Sequence, residues 1–288
     1  MNAQAIYIEE IPHLKNPLLI AGFGGWGTAL NVSRGLASYL VRRLGARPFA
    51  SINPDYFYRY DETRPIVSIK EGDLKSISPA GGSFYAARTG PDERDLVILI
   101  ADEPNLRWFH FVEELFSLCK KLAIETVITL GSMYDSVLPS DRIISGIASS
   151  ENLVAKLKHK NVNAIFYEGP SAIHSVVQSE GQKEGFQCIS LWSHCPYYLQ
   201  GATHYGLLAH LGALLAFLGE FQLDVKDLEE SWKELNEQIQ ALIEKKPELR
   251  DMIVKLRKAK VRGSWESMKA SIKKDEKVID IKDFLEPK

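Results

Sequence analysis

The chain has 288 residues, 45% hydrophobic and 25% charged, with a formal net charge of -2. That balance is ordinary for a folded globular protein long enough to bury a sizeable core, and it gives no reason to expect a nucleic-acid or anionic-membrane partner. Three cysteines, Cys119, Cys188 and Cys195, cannot build a disulfide framework and show no Cys-x-x-Cys spacing, which fits a reducing cytoplasm and offers no thiol-ligated zinc site. Met1 to Tyr7 lacks the basic start and apolar run of a secretion signal. The longest apolar stretch, Leu207 to Leu218, contains His210 and is too short to span a bilayer.

In chain order, Leu18 to Ala21 reads as a buried strand, Trp26 to Leu44 as a helix and Ala46 to Ile52 as a second strand. Pro65 to Lys70 and Ser83 to Arg88 are expected to pair on one edge. Asp95 to Ala101 is a near-continuous apolar run, as a central parallel strand requires. Trp108 to Leu122 follows as an amphipathic helix and Glu125 to Leu130 as a buried strand. Ile143 to Ser149 looks extended, Glu151 to Lys158 helical, and Ala164 to Tyr167 forms a short strand. Pro170 to Glu184 reads as a helix with proline in its first turn. Phe186 to Trp192 is a last strand and Thr203 to Leu218 an apolar helix. Repeated β-α alternation predicts an α/β fold with a mostly parallel sheet and helices on both faces, over residues 1–220.

Beyond Glu220 the pattern changes. Val225, Leu228, Trp232, Leu235, Ile239 and Leu242 form a heptad seam on an otherwise charged helix. Pro247 ends it, and Leu249, Met252, Ile253 and Leu256 begin a second amphipathic helix. Residues 221–260 are therefore expected to form a helical hairpin packed on the same chain or on a neighbouring subunit, with Leu235 as a candidate interface residue. In the tail, 261–288, Ile279, Ile281 and Phe284 suit a terminal strand or a docking peptide.

Gly22-Phe23-Gly24-Gly25-Trp26-Gly27 matches G-x-G-x-x-G between a strand and a helix, where backbone N–H groups at a helix N-terminus would face a phosphate. Trp26 is bulky for close approach to a pyrophosphate, and no clear acid ends the second strand; the alternative is a tight turn with Trp26 packed on the sheet. Asp102, Glu103, Glu168 and His194 each follow a strand and would converge at the carboxyl edge, so the candidate ligand crevice is Gly22, Gly24, Gly25, Trp26, Gly27, Glu103, Glu168 and His194. Carboxylates and a histidine there would suit acid/base hydrolysis or phosphorolysis of a nucleoside-like bond. The competing roles are an ion pair of Glu103 with Arg107, capping of the Pro170 helix by Glu168, and a backbone-satisfied loop histidine at His194. No catalytic residue is assigned, and no cofactor or metal is expected. Aromatic loops supply candidate interface residues: Tyr56, Tyr58, Trp108, Tyr197 and Tyr198, with Arg107 tying neighbouring loops together through carboxylates.

Four strings carry a resemblance: Asn53-Pro54-Asp55-Tyr56-Phe57-Tyr58 with Thr63-Arg64-Pro65, Glu103-Pro104-Asn105-Leu106-Arg107-Trp108, Tyr167-Glu168-Gly169-Pro170, and Ser190-Leu191-Trp192 with Pro196-Tyr197-Tyr198. In this order they resemble the proteasome-assembly-chaperone-2 family, from about Leu18 to about Leu256. The resemblance implies a three-layer α/β/α fold similar to that of nucleoside phosphorylases and related hydrolases. It also implies a homo-oligomer, a trimer first, and a role in assembling or binding other proteins, with proteasome-like subunits as partners by resemblance only. Two departures stand out. Where the family reads Gly-Trp-Asn-Asp-Ala, Trp26 is followed here by Gly27, Thr28 and Ala29. The family's C-terminal docking motif carries a penultimate tyrosine, and this sequence has Pro287. The expectation is a non-catalytic assembly protein, with a nucleoside- or nucleotide-binding hydrolase or phosphorylase as the alternative.

Overall fold

A computed structural model describes residues 4–201, 203–261 and 279–280. In chain order the elements are β1 (Ile6–Ile8), β2 (Leu18–Gly24), α1 (Val32–Arg43), β3 (Arg47–Ile52), α2 (Pro54–Phe57), β4 (Ile66–Lys70), β5 (Asp73–Ser78), β6 (Gly82–Ala87) and β7 (Leu96–Asp102). Then come α3 (Trp108–Lys121), β8 (Thr126–Asp135), β9 (Ile144–Ala148), α4 (Glu151–His159), β10 (Asn163–Ala164), α5 (Ile173–Lys183), β11 (Gln187–Pro196), β12 (Leu199–Gln200) and α6 (Tyr205–Gly219). Helices α7 (Lys226–Lys245) and α8 (Pro247–Val261) follow, and β13 (Ile279–Asp280) ends the described chain.

One nine-stranded sheet runs β1-β3-β6-β7-β2-β8-β11-β9-β10. Its four central strands, β7, β2, β8 and β11, are mutually parallel, while β1, β3 and β6 join antiparallel on one side and β9 antiparallel to β11 on the other. The centre is buried on both faces, which is why every residue of β2 is buried and its sequence is apolar without alternation. Side chains still sort by parity: Leu96 and Ile98 join one core cluster, Val97, Leu99 and Ala101 the other. Helices α1, α4 and α6 pack on the first face and α3 and α5 on the second, giving the three layers.

Four expectations need correction. The helix after β2 begins at Val32 rather than Trp26: Leu30 and Asn31 are left-handed, with φ of 49° and 51°. The segment before them is drawn to the sheet instead, where the Ser132 N–H donates to the Gly27 carbonyl at 2.8 Å and Thr28 bridges Ser132. Strand β4 does not pair with the 83–88 segment. It forms a hairpin with β5 across Glu71 and Gly72, both at positive φ, whereas β6 enters the main sheet because Phe84 and Ala87 reach its cores. The strand expected at Ala164–Tyr167 is only Asn163–Ala164, and Phe166 and Tyr167 stand exposed. Strands β8 and β11 each run past their expected ends and pair along their full length.

The C-terminal helices pack on their own chain. Trp232, Leu235, Ile239 and Leu242 are buried with Leu249, Ile253 and Leu256 of α8, under Tyr198 and Leu199. Leu235 is thus a core residue of this cluster and not a surface one, because the seam is filled from within. Arg142 holds Glu229 of α7 through two bonds of 2.8 Å, and the Tyr39 hydroxyl reaches Asp227 Oδ1 at 2.7 Å. Strand β13 pairs parallel to β12; Ile281 and Phe284 lie outside the described residues. No helix among the described residues is long and apolar enough to cross a membrane.

Candidate functional site

The carboxyl ends of β2, β7, β8 and β11 meet around the glycine turn. Gly25 has φ of +110°, and a side chain there would press on Glu103. Glu103 leaves β7 and stitches this edge together. Its N–H donates to the Gly24 carbonyl at 2.9 Å, Oε2 accepts from the Trp26 N–H at 3.3 Å, and Oε1 accepts from the Ile173 N–H at 2.8 Å. Ile173 is the first residue of α5, so a carboxylate of the chain itself satisfies the positive end of that helix. Glu103 does this instead of pairing with Arg107. Glu168 does not cap α5; it lies exposed in the preceding segment.

Gly22 backs onto α1, where an added Cβ would meet Ser33 and Ala37 at 2.7 Å. Gly24 sits against Asp102, which pairs with Arg34 at 2.6 Å. Trp26 is 64% exposed, so it does not pack on the sheet. Trp192 fills that place: an added Cβ would lie 2.7 Å from its ring at Gly131 and 3.0 Å at Gly27. Below it is His174, which sequence reasoning did not single out. Its Nε2 lies 2.8 Å from the Leu130 carbonyl, and Nδ1 has no hydrogen-bond partner. Burial pushes its pKa down to about 4, so the ring is neutral at pH 7. The turn does not open directly into a helix, and the first N–H of α5 donates to Glu103.

His194 belongs to a different cluster from the turn. Its Nδ1 is 2.7 Å from Asp135 Oδ2 and its Nε2 is 2.7 Å from Ser145 Oγ. Asp135 and Ser145 carry no motif in sequence; strand order alone brings them together. His204 caps α6 through Nδ1, which accepts from the Leu207 N–H, and its ring stacks on Trp232 at 4.4 Å. Burial lowers its pKa to about 4.

Among the expected interface residues, Tyr58 and Tyr198 are buried. The Tyr58 hydroxyl donates to the Asp102 carbonyl at 2.8 Å and the Tyr198 hydroxyl to the Val137 carbonyl at 2.6 Å, so both tie loops to the body. Tyr197 is half-buried and donates to the Met252 sulfur. Tyr56, Arg107 and Trp108 do share one surface. The Asn105 N–H donates to the Phe57 carbonyl at 2.9 Å, locking two of the motif strings together. Arg107 lies 4.6 Å over the Tyr56 ring rather than bridging carboxylates. Trp108 donates to the Pro104 carbonyl, and Leu106 and Phe109 stand exposed beside it. A larger apolar surface went unseen in the sequence. The β4–β5 hairpin has no buried residue, yet it carries Ile66 (75% exposed), Val67, Ile69, Leu74 and Ile77.

All three cysteines are buried and unpaired; burial raises each thiol, Cys188 to about 12. No group of three or more potential ligand residues forms a metal site among the described residues.

The fold is that of a three-layer α/β/α protein with a parallel-centred sheet and a C-terminal helical pair. The chain belongs to the PAC2 family, whose sequence profile matches residues 19–243. Its fold is similar to that of a PAC2 family protein from Streptomyces avermitilis, at 24% identity and a TM-score of 0.74, covering 82% of this chain and 99% of that one. A proteasome-assembly chaperone homologue from Mycobacterium tuberculosis gives the same identity, TM-score and coverage. PbaB of Pyrococcus furiosus, an archaeal proteasome activator, is 18% identical with a TM-score of 0.64, covering 82% of this chain and 97% of that one. No curated protein matches the chain by sequence.

Proposed function

We propose that this chain is a cytoplasmic, homo-oligomeric assembly or interaction protein, with a trimer as the leading assembly and a role akin to that of proteasome-assembly chaperones. Recognition of a partner protein by such a scaffold needs no chemical step. The observation that carries the reading is the β4–β5 hairpin. A two-stranded ribbon with five large apolar side chains in solvent is marginal by itself. It also has two open edges, a combination that soluble proteins ordinarily cover. Closed homo-oligomers are the commonest way to do so, and we assign the hairpin to a second copy of this chain. The Tyr56–Arg107 surface, with Leu106 and Phe109, remains for the partner protein and has the aromatic and arginine character of binding hot spots. The three free, buried thiols suit a reducing compartment.

Native mass spectrometry of the full chain, beside a variant carrying Ile69→Asp and Ile77→Asp, tests this. The wild type is expected at the mass of three chains and the variant as folded monomers with an unchanged circular dichroism spectrum. A monomeric wild type overturns the oligomer. An oligomer that survives both substitutions removes the hairpin from its interface.

A further inference from the structure

Ser145, His194 and Asp135 stand in line on one face of the sheet. Ser145 is on β9 and pairs with Trp192 of β11, so His194, two residues further on, shares its face. Asp135 ends β8, beside Pro196, with the same parity. Ser145 Oγ to His194 Nε2 is 2.7 Å, and His194 Nδ1 to Asp135 Oδ2 is 2.7 Å. The other oxygen of Asp135 accepts from the Ser136 N–H at 2.7 Å, which fixes the carboxylate. An ionised carboxylate can only accept, so the ring proton sits on Nδ1. In the neutral ring with its proton on Nδ1, Nε2 is the acceptor and the Ser145 hydroxyl donates to it.

Simple satisfaction of a buried hydroxyl does not need this arrangement. Ser33 donates to the Phe23 carbonyl and Ser132 to the Ala29 carbonyl, as buried serines generally do. Ser145 is matched instead to a ring nitrogen whose partner nitrogen is held by an acid, which is the geometry that raises a hydroxyl's nucleophilicity. The group is 5% exposed at Ser145 and 9% at His194, a setting where charge interactions are strong. It also lies close to an edge. Outside β9 there is only the two-residue β10, and the chain that follows is open to solvent, with Phe166 96% exposed.

We propose that Ser145 is the nucleophile of an acyl-transfer site, with His194 as its general base and Asp135 as a positioning residue. With Ser145 and His194 this deeply buried, the acyl donor of the proposal is a short-chain ester, the least bulky of acyl substrates. In the first half, Ser145 Oγ gives its proton to His194 Nε2 and bonds to the ester carbonyl carbon. The carbon–alkoxide bond then breaks, and the Nε2 proton leaves with the alcohol. In the second half, water gives a proton to Nε2, its oxygen bonds to the acyl carbon, and the Ser145–acyl bond breaks. The proton returns from Nε2 to Ser145, and the carboxylic acid departs. This activity is independent of the scaffold reading, and neither result bears on the other.

The test uses the full chain and an alkyl fluorophosphonate. In the reaction Ser145 Oγ bonds to phosphorus, fluoride leaves, and His194 takes the proton. Intact mass and peptide mapping are expected to show one adduct, on Ser145. His194→Gln is expected to slow it at least 100-fold. Asp135→Asn is expected to lower the maximal labelling rate at least 10-fold while leaving the half-saturating probe concentration unchanged. A mere packing role would not produce that split. Circular dichroism and unfolding midpoints confirm that each variant is folded. No adduct on the wild type, or an adduct that persists in Ser145→Ala, overturns the proposal. So does a folded His194→Gln variant that labels at the wild-type rate.

Discussion

Acidification is expected to destabilise this fold through two histidines far apart in the structure. His174 lies under Trp192, and His204 between α6 and Trp232; burial pushes each down to about 4. In the unfolded chain both return to an ordinary value near 6.5, so the unfolded state binds protons first. Their stabilisation is therefore complete above pH 6.5 and is lost as pH falls toward 4. Between pH 8 and pH 5 the loss is about 2 kcal/mol for each, about 4 kcal/mol together, from the linkage relation. His210, lowered in the same direction by burial, adds to it. That is a large share of the ~5–15 kcal/mol expected for a domain. Urea unfolding at pH 8, 6.5 and 5, at constant ionic strength, reads it directly. His204 Nε2 lies 3.0 Å from the Pro139 carbonyl, and His204→Gln, whose amide can still donate there, should flatten the profile by roughly 2 kcal/mol. Equal stability at pH 8 and pH 5 would refute the reasoning. So would an NMR titration of His174 in the folded chain centred near 6.5.

Two further outcomes follow from the packing. Leu235→Ala should cost about 2–5 kcal/mol of unfolding free energy and leave the oligomer mass unchanged, because the side chain is buried against α8 of its own chain; calorimetry with native mass spectrometry checks both. Glu103→Ala removes the acceptor of the Ile173 and Trp26 N–H groups. It should lower stability by about 1–3 kcal/mol, with hydrogen exchange rising first at Ile173.

The parts of this fold set by local chemistry could be read in advance. The unbroken apolar runs of β2 and β7 announce buried strands, and the spacing of Leu228, Trp232, Leu235 and Ile239 announces a helix with one apolar face. What the seam packs against is a tertiary fact, and here the answer is Tyr198, Leu199 and α8. Helix α1 begins late because Gly27 and Thr28 are bonded to β8, a strand about 100 residues away. Strand β5 gives no period-2 signal, because Leu74 and Ile77 stand three apart and come opposite Ile69 and Val67 only through a register shift in a ribbon that buries neither face. The site divides in the same way. Glu103 and His194 were visible as polar residues at strand ends, but their partners were not. Ile173, Asp135 and Ser145 come from other strands and a helix, and only the β8-β11-β9 order places two of them around His194.

Sealing every native thiol inside the two cores has a practical corollary. Cys119, Cys188 and Cys195 are inaccessible and held protonated by burial, so the folded chain presents a blank background to maleimide dyes. Ser76, on the exposed hairpin, is nearly isosteric with cysteine. A Ser76→Cys protein would carry one fluorophore on the arm, and its emission would report in real time when another surface closes over that ribbon.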